Sequence, residues 1–374
     1  MKIGIIKHRY VAEGGGSERY TNGLIDGLIR LGHDVHVFAH RADGKPARVT
    51  VEHVPVMAGP SFLRQWSFAR SCRSVVRNAG CDLIFSAERT IQQDIVRAGG
   101  GCHREYLIQC RRHLSPGRRL ALRVNLLHPM LLHLERQTFC PQNTRVVIAN
   151  SNRGKEEIVR HYGFPADRIE VVHNGTDLER FRPREREVTG KIVLLFVGSG
   201  FERKGLGFAM GALAKLPDNV ELKVAGKGNA TRYLQLARKL GVAGRVQFLG
   251  VQSRIEDVYA QGDILVHPAI YEPFSNACLE AMACGLPVVT SRMNGASEVI
   301  AQGSDGAVVE DPGDAGALAA AILLFCDRKR LREASALAHE TAAKMPMSRN
   351  VEQTLKVIER LAKVELTGHE AADR

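Results

Sequence analysis

The chain has 374 residues, of which 44% are hydrophobic and 25% are charged, and its formal net charge is +12. This length exceeds the usual size of a single hydrophobic core and predicts two domains. The longest apolar runs, such as residues 192–197, are far too short to cross a bilayer. The positive charge predicts an anionic partner, and nucleic acid, phosphate-rich lipid and nucleotides all qualify.

The cysteines and the first residues indicate the compartment. The eight cysteines form no C-x-x-C pair and no zinc-like cluster with histidine, so we expect reduced thiols. The chain begins with the pattern of a buried strand, residues 1–6, instead of a charged and then apolar leader. These features predict a cytoplasmic protein.

The N-terminal segment has the pattern of a parallel βαβ unit. An apolar strand over residues 1–7 leads into a glycine triplet at 14–16, and Ser17 caps a helix that ends at Gly32. The next strand, at 35–38, predicts the start of a doubly wound sheet. The triplet is not a dinucleotide fingerprint, and it suits either close approach to a ligand or a plain tight turn.

A glycine run followed by a histidine comes after the strand at 81–85. Residues 97–105 read Arg-Ala-Gly-Gly-Gly-Cys-His-Arg-Glu, which places His103 between the sheet and a helix. A histidine at such a position can enter a cleft. A satisfied structural histidine is the alternative.

A basic, leucine-rich segment follows this histidine. Residues 104–136 contain seven arginines and two acids, with leucines interleaved. This composition favours the surface of an anionic membrane, where basic side chains meet head groups and apolar ones insert. A solvated basic helix packed through its leucines is the alternative. Nucleic-acid binding would instead present interleaved aromatic residues or a recognisable module.

The second half of the chain repeats the alternation of strands and helices. Residues 182–190 are charged and lack an apolar period, which makes them the best candidate for a linker. The strand at 192–197 leads into a glycine loop that carries adjacent Arg203 and Lys204. Because open α/β sheets bind ligands at the carboxyl ends of their strands, this pair is placed to neutralise a diphosphate. A solvated pair is the alternative.

One strand–loop–helix–strand unit, residues 263–291, retains two carboxylates in a mostly apolar stretch. Glu272 lies in the loop, and Glu280 lies eight positions later in a helix that ends at Gly285. Glu280 could hold ribose hydroxyls, and Glu272 could reach a sugar beyond the phosphates. The first amides of the helix suit a phosphate, and they belong to Ser275, Asn276 and Ala277. A βαβ unit with two surface acids is the alternative.

Together and in this order, these motifs resemble the retaining glycosyltransferases of family 4, which have the GT-B fold. The resemblance spans nearly the whole chain. It rests on residues 14–18, 173–177, 203–205 and 285–289, and on Glu272 with seven residues before Glu280. It implies an α/β chain of two facing Rossmann-like domains. Residues 1–182 would form the acceptor domain and 183–346 the nucleotide-sugar donor domain, with a C-terminal helix, 347–374, packing back on the first.

The resemblance also implies roles for individual residues. Arg203, Lys204 and the helix N-terminus would stabilise the diphosphate leaving group, so no metal or other cofactor is expected. Glu280 would hold the ribose, and Glu272 would contact the transferred sugar. The other substrate-binding positions would be Gly15, Gly16, Gly198, Phe274, Ser275, Asn276 and Ala277. In the first domain we expect His103 to line the sugar at its primary hydroxyl and Asp94 to orient the acceptor.

Within the family, residues 97–105 and the basic segment look like the lipopolysaccharide core glucosyltransferase branch. Those enzymes transfer glucose from UDP-glucose to the inner-core heptose at the cytoplasmic face of the inner membrane. The implied enzyme is peripheral at that membrane and has no nucleic-acid partner. The branch has an acid where this chain has Gly100, so the role of that acid does not carry over. The implied mechanism is retention, with the departing UDP taking the acceptor proton.

Besides nucleic-acid binding through the basic segment, which predicts a steep salt dependence, two alternatives stay open at this point. One is a family 4 enzyme with another donor, such as UDP-N-acetylglucosamine or GDP-mannose, and another lipid or polysaccharide acceptor. The other is a non-catalytic nucleotide-binding protein that recruits partners at a membrane. The presence of Glu272, Glu280, Arg203 and Lys204 argues against the second alternative.

Overall fold

A computed structural model describes residues 1–11, 16–43, 49–114, 116–185 and 190–372. The chain forms two compact units. The first comprises Met1–Ile108, Leu114–His173 and Ser348–Arg374, and the second comprises Gln109–His113 and Asn174–Met347. Apart from the short segment Gln109–His113, the chain passes into the second unit after His173, nine residues before the boundary expected at 182.

The first unit contains a seven-stranded sheet with the order β3-β2-β1-β4-β5-β6-β7, in which all neighbours are parallel. Its strands are β1 (Lys2–Val11), β2 (Asp34–Asp43), β3 (Thr50–His53), β4 (Leu83–Ser86), β5 (Ile95–Arg97), β6 (Val146–Ala149) and β7 (Ile169–Val171). The chain extends the sheet in one direction from β1 and then returns to extend it in the other. The carboxyl ends of β1 and β4 therefore flank a switch point, where ligands of such sheets bind.

Six helices follow these strands in the first half of the chain. They are α1 (Gly16–Arg30), α2 (Ser61–Ala79), α3 (His103–His113), α4 (Pro116–Val124), α5 (Leu127–Thr138) and α6 (Asn152–Tyr162). Ser151 caps α6 by accepting a hydrogen bond from the N–H of Gly154, and Gly163 ends it in a left-handed conformation. The basic segment is therefore built as three helices, α3, α4 and α5.

The second unit contains a six-stranded parallel sheet with the order β10-β9-β8-β11-β12-β13. Its strands are β8 (Ile192–Val197), β9 (Val220–Ala225), β10 (Val246–Gly250), β11 (Ile264–His267), β12 (Val288–Ser291) and β13 (Gly306–Val309). Its helices are α7 (Leu206–Leu213), α8 (Ala230–Lys239), α9 (Ile255–Tyr259), α10 (Asn276–Ala283), α11 (Ala315–Leu323) and α12 (Arg328–Ala343).

This second sheet is buried on both faces, which explains the nearly continuous apolar runs of its strands. One core contains Leu194, Phe196 and Val266, and the other contains Leu195 and Leu265. The strand order reverses between β8 and β11, so the loops that follow these two strands meet at one edge. Those loops carry the candidate cations and the candidate acid of the second unit.

The last helix, α13 (Met347–Ala372), packs on α1 within the first unit. The hydroxyl of Tyr20 on α1 lies 3.1 Å from that of Thr354. A Cβ atom on Gly27 would come within 2.6 Å of Leu355, so the absence of a side chain allows the helices to approach. In the part of the chain that the structure describes, no helix has both the length and the apolar character needed to span a bilayer.

Candidate active site

An ion-pair cluster joins the loop after β8 to the loop after β11. Nη1 of Arg203 lies 2.8 Å from Oε2 of Glu272 and also donates to the carbonyl of Tyr271 at 3.0 Å. Nζ of Lys204 lies 3.2 Å from the same carboxylate oxygen. The N–H of Ile270 donates to the carbonyl of Arg203 at 2.8 Å, which ties the two loops together. The structure thus brings together three of the residues expected to act at one site.

Glycines without side chains make this cluster possible. A Cβ atom on Gly198, which has φ +133°, would come within 2.8 Å of Cδ and Cε of Lys204. A Cβ atom on Gly205 would lie 1.9 Å from the carbonyl oxygen of Pro268. The first glycine therefore leaves room for the lysine side chain, and the second lets the two loops touch.

His267, the last residue of β11, lies behind Glu272. It is fully buried, its ring stacks on Phe196, and its Nε2 lies 4.0 Å from Glu272 Oε2 and 3.5 Å from Ser275 Oγ. Burial, followed by the charge of Lys204, lowers the pKa of His267 to about 4 and outweighs the opposite effect of Glu272. The imidazole is therefore neutral at neutral pH.

Glu272 is the ionised centre of the cluster. Burial alone would raise its pKa, but His267, Lys204 and Arg203 outweigh burial and hold the pKa well below the ordinary value of 4.5. The carboxylate is therefore charged at neutral pH. Two cations against one anion leave the cluster with a net positive charge, which suits a ligand that carries phosphate.

The N-terminus of α10 offers fewer amides than the sequence indicated. The N–H of Ser275 donates to Oδ1 of Asn294 at 3.1 Å, so this predicted phosphate-binding amide is already used. The amides of Asn276 and Ala277 have no protein acceptor among the described residues. The side chain of Asn276 accepts a hydrogen bond of 2.7 Å from Asn174. Two backbone donors, not three, therefore open this helix to a ligand.

Glu280 is oriented by a buried tyrosine. The hydroxyl of Tyr259 donates to Glu280 Oε2 at 2.8 Å and lies 3.3 Å from the carbonyl oxygen of Ala277. Burial and then the charge of Glu280 raise the pKa of Tyr259, so the hydroxyl stays protonated and acts as a donor. Phe274, another predicted substrate-binding residue, is buried, and its carbonyl accepts from Asn174 at 3.3 Å.

In the first unit, Glu135 of α5 caps the helix that begins with His103. Its carboxylate is fully buried and accepts from the N–H of His103 at 2.6 Å and of Arg104 at 3.1 Å. Nε of Arg89 lies 3.2 Å from the same carboxylate, and the hydroxyl of Tyr162 donates to it. An acid at a helix N-terminus satisfies free amides and complements the helix dipole. Glu135 therefore fixes the backbone of His103.

The ring of His103 contacts a second histidine. His103 Nε2 lies 3.0 Å from Nδ1 of His128, and the two rings are stacked with their centroids 5.2 Å apart. Burial, and then the charge of Arg89 and the neighbouring His128, lower the pKa of His103 to about 3. This histidine is neutral at neutral pH.

The structure does not place every predicted residue in a site. Asp94 precedes β5, and its Oδ2 accepts from the N–H of Ile84 at 2.8 Å, at the amino ends of these strands. His103 follows β5, so Asp94 lies at the opposite ends of these strands, and the structure does not bring Asp94 together with His103. Gly15 lies outside the described residues. Gly16 is the first residue of α1.

Four supporting residues were missed by sequence reasoning. Each is a polar side chain in apolar surroundings, and they are His267, Asn294, Tyr259 and Glu135. His267 gives a weak signal, because it ends a short apolar strand directly before the candidate loop. The other three act on residues at least nineteen positions away in sequence, and no local pattern indicates those contacts.

Two family models match the chain. The model described as Glycosyl transferases group 1 matches residues 177–340, and the model described as Glycosyltransferase Family 4 matches residues 14–180. The crystal structure of WaaG, a glycosyltransferase involved in lipopolysaccharide biosynthesis, covers 95% of this chain and 99% of that chain, with a TM-score of 0.79 and 22% identity. The chain therefore has the predicted GT-B fold of two α/β units.

Curated relatives and a further structure agree with this. The lipopolysaccharide glucosyltransferase WaaG of Escherichia coli is 25% identical over 80% of this chain and 82% of that protein. D-inositol 3-phosphate glycosyltransferase 2 of Catenulispora acidiphila is 36% identical, and the chain spans about half its length, with 47% of each protein aligned. HepE of Anabaena in complex with UDP-glucose has a TM-score of 0.70 at 19% identity, covering 96% of this chain and 100% of that one.

The two family models together span residues 14–340. The chain belongs to the glycosyltransferases of these families, as its motifs predicted. It is thus an enzyme of the hexosyltransferase class.

Proposed function

We propose that this chain is a retaining glycosyltransferase that moves glucose from UDP-glucose to a membrane-associated glycolipid, such as a lipopolysaccharide inner core. The observation that carries the proposal is the cluster of Arg203, Lys204 and Glu272 beside the two open amides of α10. Fixed cations and amides at one sheet edge would stabilise charge on a departing diphosphate. Glu280, held by Tyr259, would bind the ribose hydroxyls.

The charge states support UDP as the base of the reaction. Glu272 has a pKa well below 4.5 and His103 one of about 3, so neither is a good acceptor for the proton of a sugar hydroxyl. The leaving diphosphate gains negative charge as the glycosidic bond breaks and would take the acceptor proton. Arg203 and Lys204 would stabilise this charge as it develops.

We propose that no metal ion or other cofactor takes part. The net positive charge of the cluster would neutralise the diphosphate in place of a divalent cation. Turnover by purified protein should therefore be the same with magnesium, with manganese or with EDTA. Loss of turnover in EDTA that is restored by magnesium would remove this part of the proposal.

The choice of donor rests on the similarity to WaaG, whose name states a glucosyltransferase, and to HepE in complex with UDP-glucose. The alignments with the D-inositol 3-phosphate glycosyltransferases cover between 41% and 51% of those proteins, so they add no substrate. UDP-N-acetylglucosamine and GDP-mannose are the competing donors. A binding panel that contains all three separates them.

We also propose that α4 and its neighbours contact an anionic membrane from the cytoplasmic side. Leu120 and Val124 on α4 and Leu126 after it are exposed, although all three are large and apolar. Four exposed arginines lie near them in the sequence, namely Arg111, Arg112, Arg119 and Arg123. Apolar side chains surrounded by cations suit the boundary between anionic head groups and acyl chains.

The deciding experiment is a thermal-shift panel of sugar nucleotides without added metal. A ligand that binds only the folded protein raises its melting temperature by mass action. UDP and UDP-glucose should stabilise the protein, and Glu280→Ala should abolish the shift. Glu333→Ala removes an exposed glutamate on α12 and is the matched control. No shift with any nucleotide would refute the proposal and favour a non-catalytic protein that binds membranes through its basic segment.

A further inference from the structure

A second histidine accompanies His103 in the first unit. His128 of α5 is only 9% exposed, and its Nδ1 lies 3.0 Å from Nε2 of His103. Its other ring nitrogen, Nε2, is fully enclosed and has no hydrogen-bond partner among the described residues. One nitrogen of this ring thus contacts His103, and the other contacts no polar group.

The isolated nitrogen decides where the proton of this pair lies. Two neutral imidazoles joined by one hydrogen bond share one proton, and either ring can donate it. If His103 donated, His128 would carry its own proton on Nε2, as a buried donor without an acceptor. If His128 donates from Nδ1, its Nε2 is a bare acceptor. A buried N–H without a partner is the rarer and more costly state. The second arrangement is therefore favoured.

Both rings are held in place and neutral. The pKa of His103 is lowered to about 3 and that of His128 is also lowered, in each case chiefly by burial. The backbone N–H of His103 is fixed by Glu135, and Arg89 lies against the same carboxylate. With Nε2 accepting from His128, a neutral His103 must carry its own proton on Nδ1.

We propose that His128 is a positioning residue that holds His103 in the Nδ1-protonated tautomer, so that His103 donates a hydrogen bond to a sugar hydroxyl oxygen. The identity of the substrate rests on the proposed function, whereas the tautomer does not. His103 then donates a hydrogen bond from Nδ1 to the hydroxyl oxygen and does not serve as a base. Substitution of His128 should change which nitrogen of His103 carries the proton, even where the fold is unchanged.

The first test is spectroscopic and needs no substrate. Nitrogen-15 NMR of histidine-labelled protein at neutral pH distinguishes the two neutral tautomers, and the signals lost in His103→Asn identify those of His103. The wild-type protein should show His103 protonated at Nδ1. In His128→Leu that form should give way to the Nε2-protonated form or to a mixture. Protonation of His103 at Nε2 in the wild-type protein would overturn the proposal.

The second test uses a conservative rescue. The side-chain amide of His128→Asn reaches the position of Nδ1 and can donate to His103, whereas His128→Leu and His128→Gln cannot donate from that point. If UDP-glucose is a substrate, kcat/KM should fall roughly tenfold in the leucine variant and stay within about threefold of wild type in the asparagine variant. Equal losses in both variants, with the His103 tautomer unchanged, would assign His128 a packing role only.

The two tests separate this inference from the proposed function. If no sugar nucleotide binds, the proposed function fails, and the NMR result still decides the tautomer. If UDP-glucose is turned over but His103 is protonated at Nε2, only the inference fails. A leucine variant that does not fold leaves the wild-type tautomer and the asparagine variant to decide.

Discussion

The side chain of Lys204 occupies the space that a side chain on residue 198 would need. A Cβ atom on Gly198 would lie 2.8 Å from Cδ and Cε of the lysine and 2.9 Å from Nζ. These are the far atoms of a flexible side chain, so a methyl group at this position would displace the lysine, and at φ +133° it would also strain the backbone. The absence of a side chain at Gly198 thus allows Lys204 to lie beside Glu272.

Gly198→Ala should therefore reduce turnover with little change in the quantity of folded protein. We expect a fall in kcat on the order of a hundredfold, because the lysine leaves its position beside Glu272. Gly200→Ala adds the same methyl group in the same loop, at a positive φ of +77°, but meets nothing within 4 Å, so it controls for a substituted loop glycine that leaves the lysine in place. Equal kcat values for the two variants would contradict the displacement.

Lys204→Ala tests the leaving-group role directly. We expect kcat to fall by roughly two to three orders of magnitude, because a fixed charge beside the departing diphosphate is lost. Glu272 keeps Arg203 at 2.8 Å, so the fold should persist, and circular dichroism should be unchanged. Lys215→Ala removes an exposed lysine after α7 and is the matched control. A wild-type rate for Lys204→Ala would rule out the role.

The buried His267 should make stability depend on pH. Its pKa falls from 6.5 in the unfolded chain to about 4 in the folded one, so between these values the unfolded state binds more protons. The free energy of unfolding should therefore decrease as the pH falls through this window. One proton contributes a slope of about 1.4 kcal/mol per pH unit. In His267→Gln this contribution should vanish, and urea titrations at several pH values would measure it.

The control for this measurement is His133→Gln, which removes an exposed histidine of α5. Other buried histidines keep their own contributions in both variants, so the difference between the two slopes is the quantity to compare. A slope for His267→Gln that matches the control would show that folding does not lower the pKa of His267.

Loss of Glu135 should destabilise the first unit. Glu135→Ala leaves the amides of His103 and Arg104 and the guanidinium of Arg89 without their shared acceptor. Removal of one partner from such a buried charged network costs about 3–5 kcal/mol, which urea unfolding would detect as an earlier transition. Glu156→Ala, an exposed position on α6, should change stability by less than about 0.5 kcal/mol. Similar effects of both substitutions would mean that the cap contributes little.

Membrane contact through α4 can be tested by substituting two valines that are equally exposed, one on α4 and one in the second unit. Val124 on α4 is 70% exposed and Val251 in the second unit is 73% exposed, so a change to serine removes equal apolar surface. Val124→Ser should weaken binding to anionic vesicles in a sedimentation assay, whereas Val251→Ser should not. Serine at Arg111, Arg112, Arg119 and Arg123 should weaken it further, by about 1 kcal/mol for each charge. Equal binding by all variants would refute the membrane contact.

Part of this site could be predicted from the sequence because parallel sheets constrain it. Arg203 follows one strand and Glu272 follows another, and the carboxyl ends of parallel strands share an edge. The sequence thus brings together residues separated by sixty-nine positions without any knowledge of their side-chain contacts. The repeated strands and helices likewise predict both sheets, since most of the buried strands are recognisable apolar runs.

The errors arise where a contact depends on packing between distant segments. Ser275 is a good helix cap by local pattern, yet its amide is used by Asn294, nineteen residues later. Asp94 is expected from the sequence to orient the acceptor, but at that residue the chain has already crossed to the amino ends of the strands. A strand as short as Ile95–Arg97 gives too weak a pattern to show where that crossing ends.

Asn294 has a consequence for any attempt to exchange this site between enzymes. Its Oδ1 accepts from the amides of Ser275 and Ala296, and its Nδ2 contacts Thr290 and Cys278. Backbone hydrogen bonds also tie Glu272 to Met293 and Gly295. A graft of residues 268–284 alone would separate the loop that carries Glu272 from residues 293–295, which hold that loop by hydrogen bonds. The smallest segment that carries this site therefore extends through residue 296, and a chimera that stops short of it should express but lose the geometry of the site.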